Sequence, residues 1–200
     1  RRLYPLRKGE FILALVCIMG VHFVGVLEGI VIAVVVAILP FFERSWRPYV
    51  AVLGEPQEVD GYHDITRYPD AEEIPGLLMI RWDAPLFFAN ANIFRNKIRK
   101  LLAQMEEKPY WILVAAEPVT DVDTTAAEML EDLDLELNAD DIHLAFAELK
   151  DPVKDKIVRY GLLSTIDARH FYPTLETAVA AFCEEQETKE QSQKESENGT

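Results

Sequence analysis

An almost uninterrupted apolar run at residues 11–42 limits what this chain can fold into more than any other feature. The hydrocarbon core of a bilayer is about 30 Å thick, and one helical crossing needs about 20 residues. The run is therefore too long for one crossing and too short for two complete ones. It is longer than the apolar region of a signal peptide, about 7 to 15 residues, and it lacks the polar face of a globular-protein helix. It predicts a membrane segment.

Glycines in the middle of the run predict where it bends. Gly20, Gly25 and Gly29 interrupt the apolar residues, and glycine weakens a helix interior because it loses more backbone entropy on folding than other residues. We therefore predict a membrane helical hairpin, with helices at about 11–19 and 27–42 and a bend at about 21–26.

Two ionisable residues, His22 and Glu28, lie within this run. An ionisable group in hydrocarbon is costly unless it reaches a cavity or a partner, so such residues are candidate functional groups within the membrane. Because both lie near the predicted bend, a second interpretation stays open, in which water or lipid headgroups solvate them.

Basic residues flank both ends of the run. Residues 1–10 contain four Arg or Lys residues, and Arg44 and Arg47 follow the run. Positive flanks favour the cytoplasmic side, and an even number of crossings leaves both ends there. We predict a basic cytoplasmic segment at 1–10, a linker at 43–48 and then a cytoplasmic domain, attached to a plasma or inner membrane. The chain begins without Met, so we expect it to be part of a longer polypeptide.

Charge and cysteine content exclude several classes of partner. The formal net charge is −14, whereas nucleic acid binding requires basic surfaces, so we expect no nucleic-acid partner. Two cysteines, Cys17 and Cys183, fit a reducing compartment without a disulfide framework or a zinc site. Residues 184–200 carry acidic and polar side chains but no apolar one, so we predict a disordered acidic tail.

Between residues 49 and 183, apolar runs alternate with helical periodicity. Continuous apolar runs predict strands covered on both faces at 111–116 and 142–147, and shorter runs predict strands at 49–53, 62–65 and 77–82. Helical spacing predicts helices at about 90–106, 125–138 and from 173 onward, with Asn90 as the N-cap of the first. Asp151 as an N-cap followed by Pro152 predicts a further helix at 151–160, which stops at Gly161. The alternation predicts an α/β domain with a small sheet flanked by helices.

The loop at 117–128 is the place where chemistry is most expected. It leaves a central strand and enters a helix, where open α/β sheets tend to bind ligands, and amides at a helix N-terminus attract anions. Asp121, Asp123, Thr124 and Thr125 are therefore candidate residues of a nucleotide-binding or anion-binding loop. The structural alternative is a capping box, with Thr125 as the cap and Glu128 three residues later, while the two Asp residues complement the helix dipole.

No set of residues in the chain has the spacing of a catalytic or metal site. The two Asp residues lack a third hard ligand nearby, and a nucleophile elbow, a Gly-rich phosphate loop and a His/Asp/Ser set are absent from the sequence. We expect no enzyme, no metal and no cofactor. We expect His143 to be a hydrogen-bonded core residue, and His63 and His170 to lack a partner at ligand spacing.

The first helix of the domain carries a basic face. Arg95, Lys97, Arg99 and Lys100 crowd one side of it. Such a face could meet anionic membrane lipid or the acidic tail, although a solvated face is the more common explanation.

Four stretches in this order resemble the C-terminal end of a SulP-family anion permease, which consists of the last membrane helices and a cytoplasmic STAS domain. The resemblance covers about residues 9–182. The matching stretches are LEGIVIAV (27–34), PGLLMIRWDAPLFFANANIF (75–94), VTDVDTTA (119–126) and GLLSTIDARHFYPTLETAVAAF (161–182). It implies a STAS-like small mixed sheet flanked by helices at 49–183, after the two-helix hairpin.

The resemblance implies a function for the chain as well. SulP proteins are secondary transporters or exchangers of inorganic anions such as sulfate and bicarbonate, and they are usually homodimers. Their substrate site lies in membrane helices upstream of the part matched here. The resemblance implies a regulatory and dimerising domain at the end of such a transporter.

A second function from the same resemblance is a membrane-tethered signalling switch that binds a nucleotide or a kinase partner. In anti-sigma factor antagonists, which share the STAS fold, a Ser or Thr after Asp-Ser/Thr is phosphorylated. The same pattern here makes Thr125 the candidate acceptor. The antagonists usually continue with Gly, whereas this chain has Ala126, which departs from the pattern of a kinase-driven switch.

The hairpin makes a testable prediction about topology. Cysteines placed at Lys8 and Ser45 should both be labelled from the cytoplasmic side, because basic residues flank both ends of the apolar run. Labelling of the two positions from opposite sides of the membrane would contradict a hairpin.

Overall fold

The computed structural model describes residues 25–198, together with the separate positions 11, 15, 18 and 19. The chain divides into two compact units, residues 1–47 and residues 48–200. Most of the first predicted membrane helix, and His22 with it, lies outside the described residues.

The first unit contains helix α1, Val26–Trp46. The helix ends before Arg47–Pro48, as expected because the residue preceding a proline is pushed out of the α region. Glu28 lies in its first turn and is exposed. Within the described part of the chain, no helix meets the length and apolarity needed to cross a membrane. The two-helix hairpin therefore stays a prediction.

The second unit is built from a sheet and four helices among its described residues. Its strands are β1 Val50–Gly54, β2 His63–Asp64, β3 Leu77–Trp82, β4 Trp111–Ala115, β5 His143–Ala147 and β6 Phe171–Tyr172. Its helices are α2 Ala91–Leu102, α3 Thr124–Asn138, α4 Asp151–Arg159 and α5 Leu175–Asn198, with short 3₁₀ turns at Leu162–Ser164 and Ala168–His170.

The sheet is mixed, as the resemblance predicts. Its strand order is β2-β1-β3-β4-β5-β6. Strand β1 is antiparallel to both neighbours, whereas β3 to β6 run parallel to one another. All segments that follow the parallel strands therefore start at one edge of the sheet, and all segments that precede them end at the opposite edge.

Alternation along the central strands builds a core on each face of the sheet. Ile112 and Val114 of β4 pack with residues of α2, α3 and α4, whereas Trp111, Leu113 and Ala115 pack on the side covered by α5. All five residues of β4 are buried. The result is a three-layer domain whose central strands have no solvent face.

The sequence predictions for the strands are confirmed within one or two residues, except that β6 was missed. Two helix details were wrong. The first helix ends at Leu102 rather than near Glu106. The N-cap of α4 is Lys150, with an extended backbone, so that Asp151 is already helical and acts by its charge in the first turn.

The predicted disordered tail was also wrong, because α5 continues as a helix to Asn198. Glu, Gln and Lys lack apolar surface but have high helix propensity. The segment follows directly on the packed turns around Phe182, so no new helix has to be nucleated. An ion pair at i,i+4 spacing, Glu185–Lys189 at 2.7 Å, adds to it.

Gly76 fits a turn that another residue would disturb. Its φ is +79°, and a Cβ built on it would lie 2.7 Å from Cδ2 of Tyr110. Its carbonyl oxygen accepts hydrogen bonds from the amides of Tyr110 at 2.7 Å and Trp111 at 3.2 Å. The close approach that these bonds require leaves no room for a side chain.

Gly76→Ala should therefore destabilise the domain more than Gly161→Ala. Gly161 also has a positive φ, +83°, but a Cβ there would meet nothing within 4 Å. Both variants bear the left-handed backbone cost of roughly 1–2 kcal/mol, and only Gly76→Ala adds overpacking of about 1–3 kcal/mol. Urea unfolding of residues 48–200 measures both. Equal losses would show that Tyr110 moves aside freely.

Candidate functional site

The loop between β4 and α3 lies at the carboxyl edge of the parallel strands, as the sequence predicts. It is held to the loop after β3 by a parallel bridge between Leu86 and Val122. The amide of Leu86 donates to the carbonyl oxygen of Asp121 at 2.9 Å, and the amide of Asp123 donates to that of Leu86 at 3.2 Å. The candidate residues therefore stand on a loop fixed by backbone hydrogen bonds.

Asp123, rather than Thr125, caps helix α3. Its Oδ1 accepts from the amide of Ala126 at 2.8 Å, and its Oδ2 accepts from the amide of Phe88 at 2.8 Å. The capping box predicted at Thr125 was wrong, because the helix begins at Thr124 and a cap must precede the first helical residue. The carboxylate of Asp123 is thus fully used by two backbone donors.

Thr124 and Thr125 present their side chains to solvent on the first turn of α3. In the described part of the chain, neither hydroxyl forms a hydrogen bond. Both hydroxyls are therefore free to meet a ligand or a modifying enzyme at a helix N-terminus, where the helix dipole favours negative charge.

Two lysines neutralise the acidic residues of this loop. Nζ of Lys156 on α4 donates to Oδ1 of Asp121, which raises the pKa of Lys156. Nζ of Lys150 lies 3.3 Å from Oε1 of Glu117. Because these pairs are exposed, each contributes little stability. Among the described residues no His, Cys, Asp and Glu group could hold a metal ion.

The loop after β3 is organised by a buried asparagine. Asn90 is the N-cap residue of α2, as predicted, but its side chain does not cap the helix. Its Oδ1 accepts from the amide of Phe87 at 2.9 Å, and its Nδ2 donates to the carbonyl oxygen of Pro85 at 2.8 Å. This loop exposes the ring of Phe88 beside the start of α3.

The basic face of α2 is partly paired. The guanidinium of Arg99 donates to both carboxylate oxygens of Glu136 on α3, with Nε at 2.8 Å from Oε1. This hydrogen bonding raises the pKa of Arg99 and lowers that of Glu136. Arg99 is thus bound to a side chain of the neighbouring helix, whereas the sequence analysis favoured a fully solvated basic face.

A second cluster, which sequence reasoning missed, lies at the opposite edge of the sheet. Trp111 and His143 open the paired strands β4 and β5, and His170 comes directly before β6. The ring centroids of His143 and His170 are 5.3 Å apart. Against prediction, His143 is only partly buried, and its imidazole forms no hydrogen bond within the described residues. Recognising Phe171–Tyr172 as a parallel strand would have brought the two histidines together.

Comparisons with known proteins place the chain in a family. A model of the STAS domain matches residues 68–178. A probable sulfate transporter of Mycobacterium tuberculosis is 38% identical over 91% of the chain, and sulfate transporter 1.2 of Arabidopsis thaliana is 32% identical over 90% of it. The chain spans 32% and 29% of the lengths of these two relatives.

The structural comparison shows the fold. The anion transporter Slc26a9 of mouse, solved in an inward-facing state, superposes with a TM-score of 0.80 over 89% of this chain, at 20% sequence identity. The chain covers 29% of that structure. At this identity the likeness is one of architecture.

The cap assignment makes a stability prediction with an internal control. Asp123→Ala should lower the free energy of unfolding by about 1–2 kcal/mol, because the amides of Ala126 and Phe88 lose their acceptor. Thr125→Ala removes an exposed hydroxyl without a partner and should change it by less than about 0.5 kcal/mol. Urea unfolding of residues 48–200 compares them. A larger loss of unfolding free energy in Thr125→Ala than in Asp123→Ala would show that Thr125 caps the helix.

Proposed function

Because the chain belongs to the SulP family and carries its STAS domain, we propose that it forms the end of a secondary inorganic-anion transporter of the sulfate or bicarbonate class. In this proposal residues 11–42 are a membrane hairpin, and residues 49–183 are a regulatory and dimerising cytoplasmic domain. The protein is a multi-pass membrane protein, and it works as a homodimer in contact with membrane lipid.

One observation carries the proposal. The similarity to proteins named as sulfate transporters runs over nine-tenths of this chain but over only about a third of theirs. A part of that size, joined to further membrane helices, fits a role in regulating transport rather than in selecting the anion.

The carboxyl-edge loop favours a second candidate, a switch. The exposed hydroxyl of Thr125 lies on the first turn of α3, and a phosphate there would meet the positive end of the helix dipole. The carboxylates of Asp121 and Asp123 repel such a phosphate only weakly, because Asp121 is paired with Lys156 and Asp123 accepts hydrogen bonds from two amides. The partner in this case is a kinase, another regulatory protein or a nucleotide.

A transport assay on the complete protein tests the proposal. Two competing anions, sulfate and bicarbonate, are measured with the full protein and with one that ends before Tyr49. We expect lower activity or poorer assembly but the same preference between the anions, because the substrate site lies in the membrane. A reversed preference would show that the domain takes part in selection.

The same assay distinguishes the switch. Thr125→Glu places a permanent charge at the candidate acceptor, Thr125→Ala removes the hydroxyl, and Thr124→Glu is the matched control one residue earlier. A change in transport with Thr125→Glu alone, in a folded protein, supports the switch. Unchanged transport in all three folded variants would leave this loop a structural one.

A further inference from the structure

A pocket of about 550 Å³ lies at the amino edge of the parallel strands, opposite the Thr125 loop. Its walls come from strands β4 to β6, the segment before β6, and helices α3 and α5. We call it the histidine pocket, and its lining includes Trp111, Asp134, His143, His170, Tyr172 and Glu185.

Three aromatic side chains of this pocket, His143, His170 and Trp111, have ring nitrogens without a hydrogen-bond partner among the described residues. The imidazole rings of His143 and His170 form no hydrogen bond with any described residue. Trp111 packs edge to face against both rings, at centroid distances of 6.4 Å and 5.2 Å. Its own Nε1 is buried and also lacks a partner among the described residues. The buried indole thus packs against two imidazoles whose nitrogens have no hydrogen-bond partner among the described residues.

The charged side chains around the rings are mostly neutralised by each other. Nε and an Nη atom of Arg169 donate to Oδ2 of Asp167 at 2.9 and 2.6 Å, and Nζ of Lys189 lies 2.7 Å from Oε1 of Glu185. Asp134 has no such cation and accepts only from Nδ2 of Asn138, at 2.9 Å. While the imidazoles are neutral, the carboxylates of Asp167 and Glu185 are each paired with a cation, and the carboxylate of Asp134 is not.

We propose that the histidine pocket binds a small oxyanion between the rings of His143 and His170 when these rings carry an extra proton. A ring spacing of 5.3 Å lets one nitrogen of each imidazolium reach a different oxygen of the same ion. Charge-assisted hydrogen bonds of this kind are the strong ones. The negative charge of the ion, which bridges the edges of the rings, also offsets the repulsion between two positive rings.

The titration of the neighbouring groups supports a site that forms on mild acidification. Burial, and then the charge of His143, lower the pKa of His170 below its ordinary value, so this ring is neutral at neutral pH in the free protein. Burial raises the pKa of Asp134 to about 6. As pH falls, the pocket therefore loses the negative charge of Asp134, and the ring of His170 gains a positive charge.

Two further carboxylates face the pocket, those of Asp167 and Glu185, and both stay charged as the pH falls. The hydrogen bonds from Arg169 lower the pKa of Asp167 to about 2. Burial raises the pKa of Glu185, but the hydrogen bond from Lys189, together with the charges of Lys189, His143 and His170, brings it below its ordinary value. Both groups stay charged and paired with their cations, while burial raises the pKa of Tyr172, which stays neutral.

The test titrates sulfate into the ¹⁵N-labelled full chain and follows the indole N–H signals. The chain has three tryptophans, so three such signals are assigned by substitution. Sulfate is the probe because it stays a dianion throughout, and chloride at equal ionic strength is the salt control. We expect a saturable shift of the Trp111 signal at about pH 5.5 and binding at least about ten-fold weaker at about pH 8. The core indole of Trp82 should not move.

Matched histidine variants locate the site. His143→Gln and His170→Gln should each weaken sulfate binding about ten-fold or more, since each removes a charged donor. His63→Gln lies on β2, at the other end of the strand order from β6, where Nε2 is 3.1 Å from the carbonyl oxygen of Asp60, and it should leave sulfate binding unchanged. The unshifted Trp82 signal shows that each variant is folded, and proton uptake on sulfate addition to the unsubstituted chain is an independent measure.

Three results would overturn the proposal. The first is a Trp111 shift that chloride reproduces at equal ionic strength. The second is full sulfate affinity in folded His143→Gln and His170→Gln variants, and the third is full sulfate affinity of the unsubstituted chain at about pH 8.

Discussion

The burial of strand β4 on both faces is the constraint on which the rest of the second unit depends. All five residues from Trp111 to Ala115 are buried, and each of its backbone ladders is parallel. A parallel central strand needs crossover helices, which α2 and α3 supply on one face of the sheet, while α5 covers the other face. The same arrangement sends loops that leave strands to one edge and segments that enter strands to the other. The domain therefore has two chemically separate edges.

The two edges differ in whether their ionisable side chains have hydrogen-bond partners. At the carboxyl edge the carboxylates of Asp121 and Asp123 already have donors, and the exposed groups are hydroxyls. At the amino edge the imidazoles of His143 and His170 have no hydrogen-bond partner among the residues that the structure describes, and they share a pocket with the buried carboxyl of Asp134. The first edge is suited to acquiring charge by modification, and the second to changing charge by titration. A regulatory domain can use both without interference, because the sheet separates them.

The sequence predicted whatever local pattern and composition determine. Continuous apolar runs located β4 and β5, because strands covered on both faces have no polar side, and a shorter run located β3. Apolar stripes located α2, α3 and α5, the Asp151–Pro152 start and Gly161 located α4, and the motif order identified the family. Strand β6 was missed because two residues carry no periodicity, and its pairing depends on Phe146 and Ala147 far away in the chain. The meeting of His143 with His170 follows from that pairing, so it was missed as well. The start of α3 was displaced because Asp123 and Thr125 both have capping chemistry, and only the backbone at Asp123 decides between them.

Asp123 joins two segments that are distant along the chain. One of its carboxylate oxygens completes the first turn of α3, and the other holds the amide of Phe88, 35 residues away. The start of the helix and the aromatic loop therefore share one acceptor, and neither can open locally without breaking a contact of the other. Whatever loosens the first turn of α3 also frees the exposed ring of Phe88. The position of an exposed apolar ring therefore depends on whether the first turn of a helix from another part of the chain is formed.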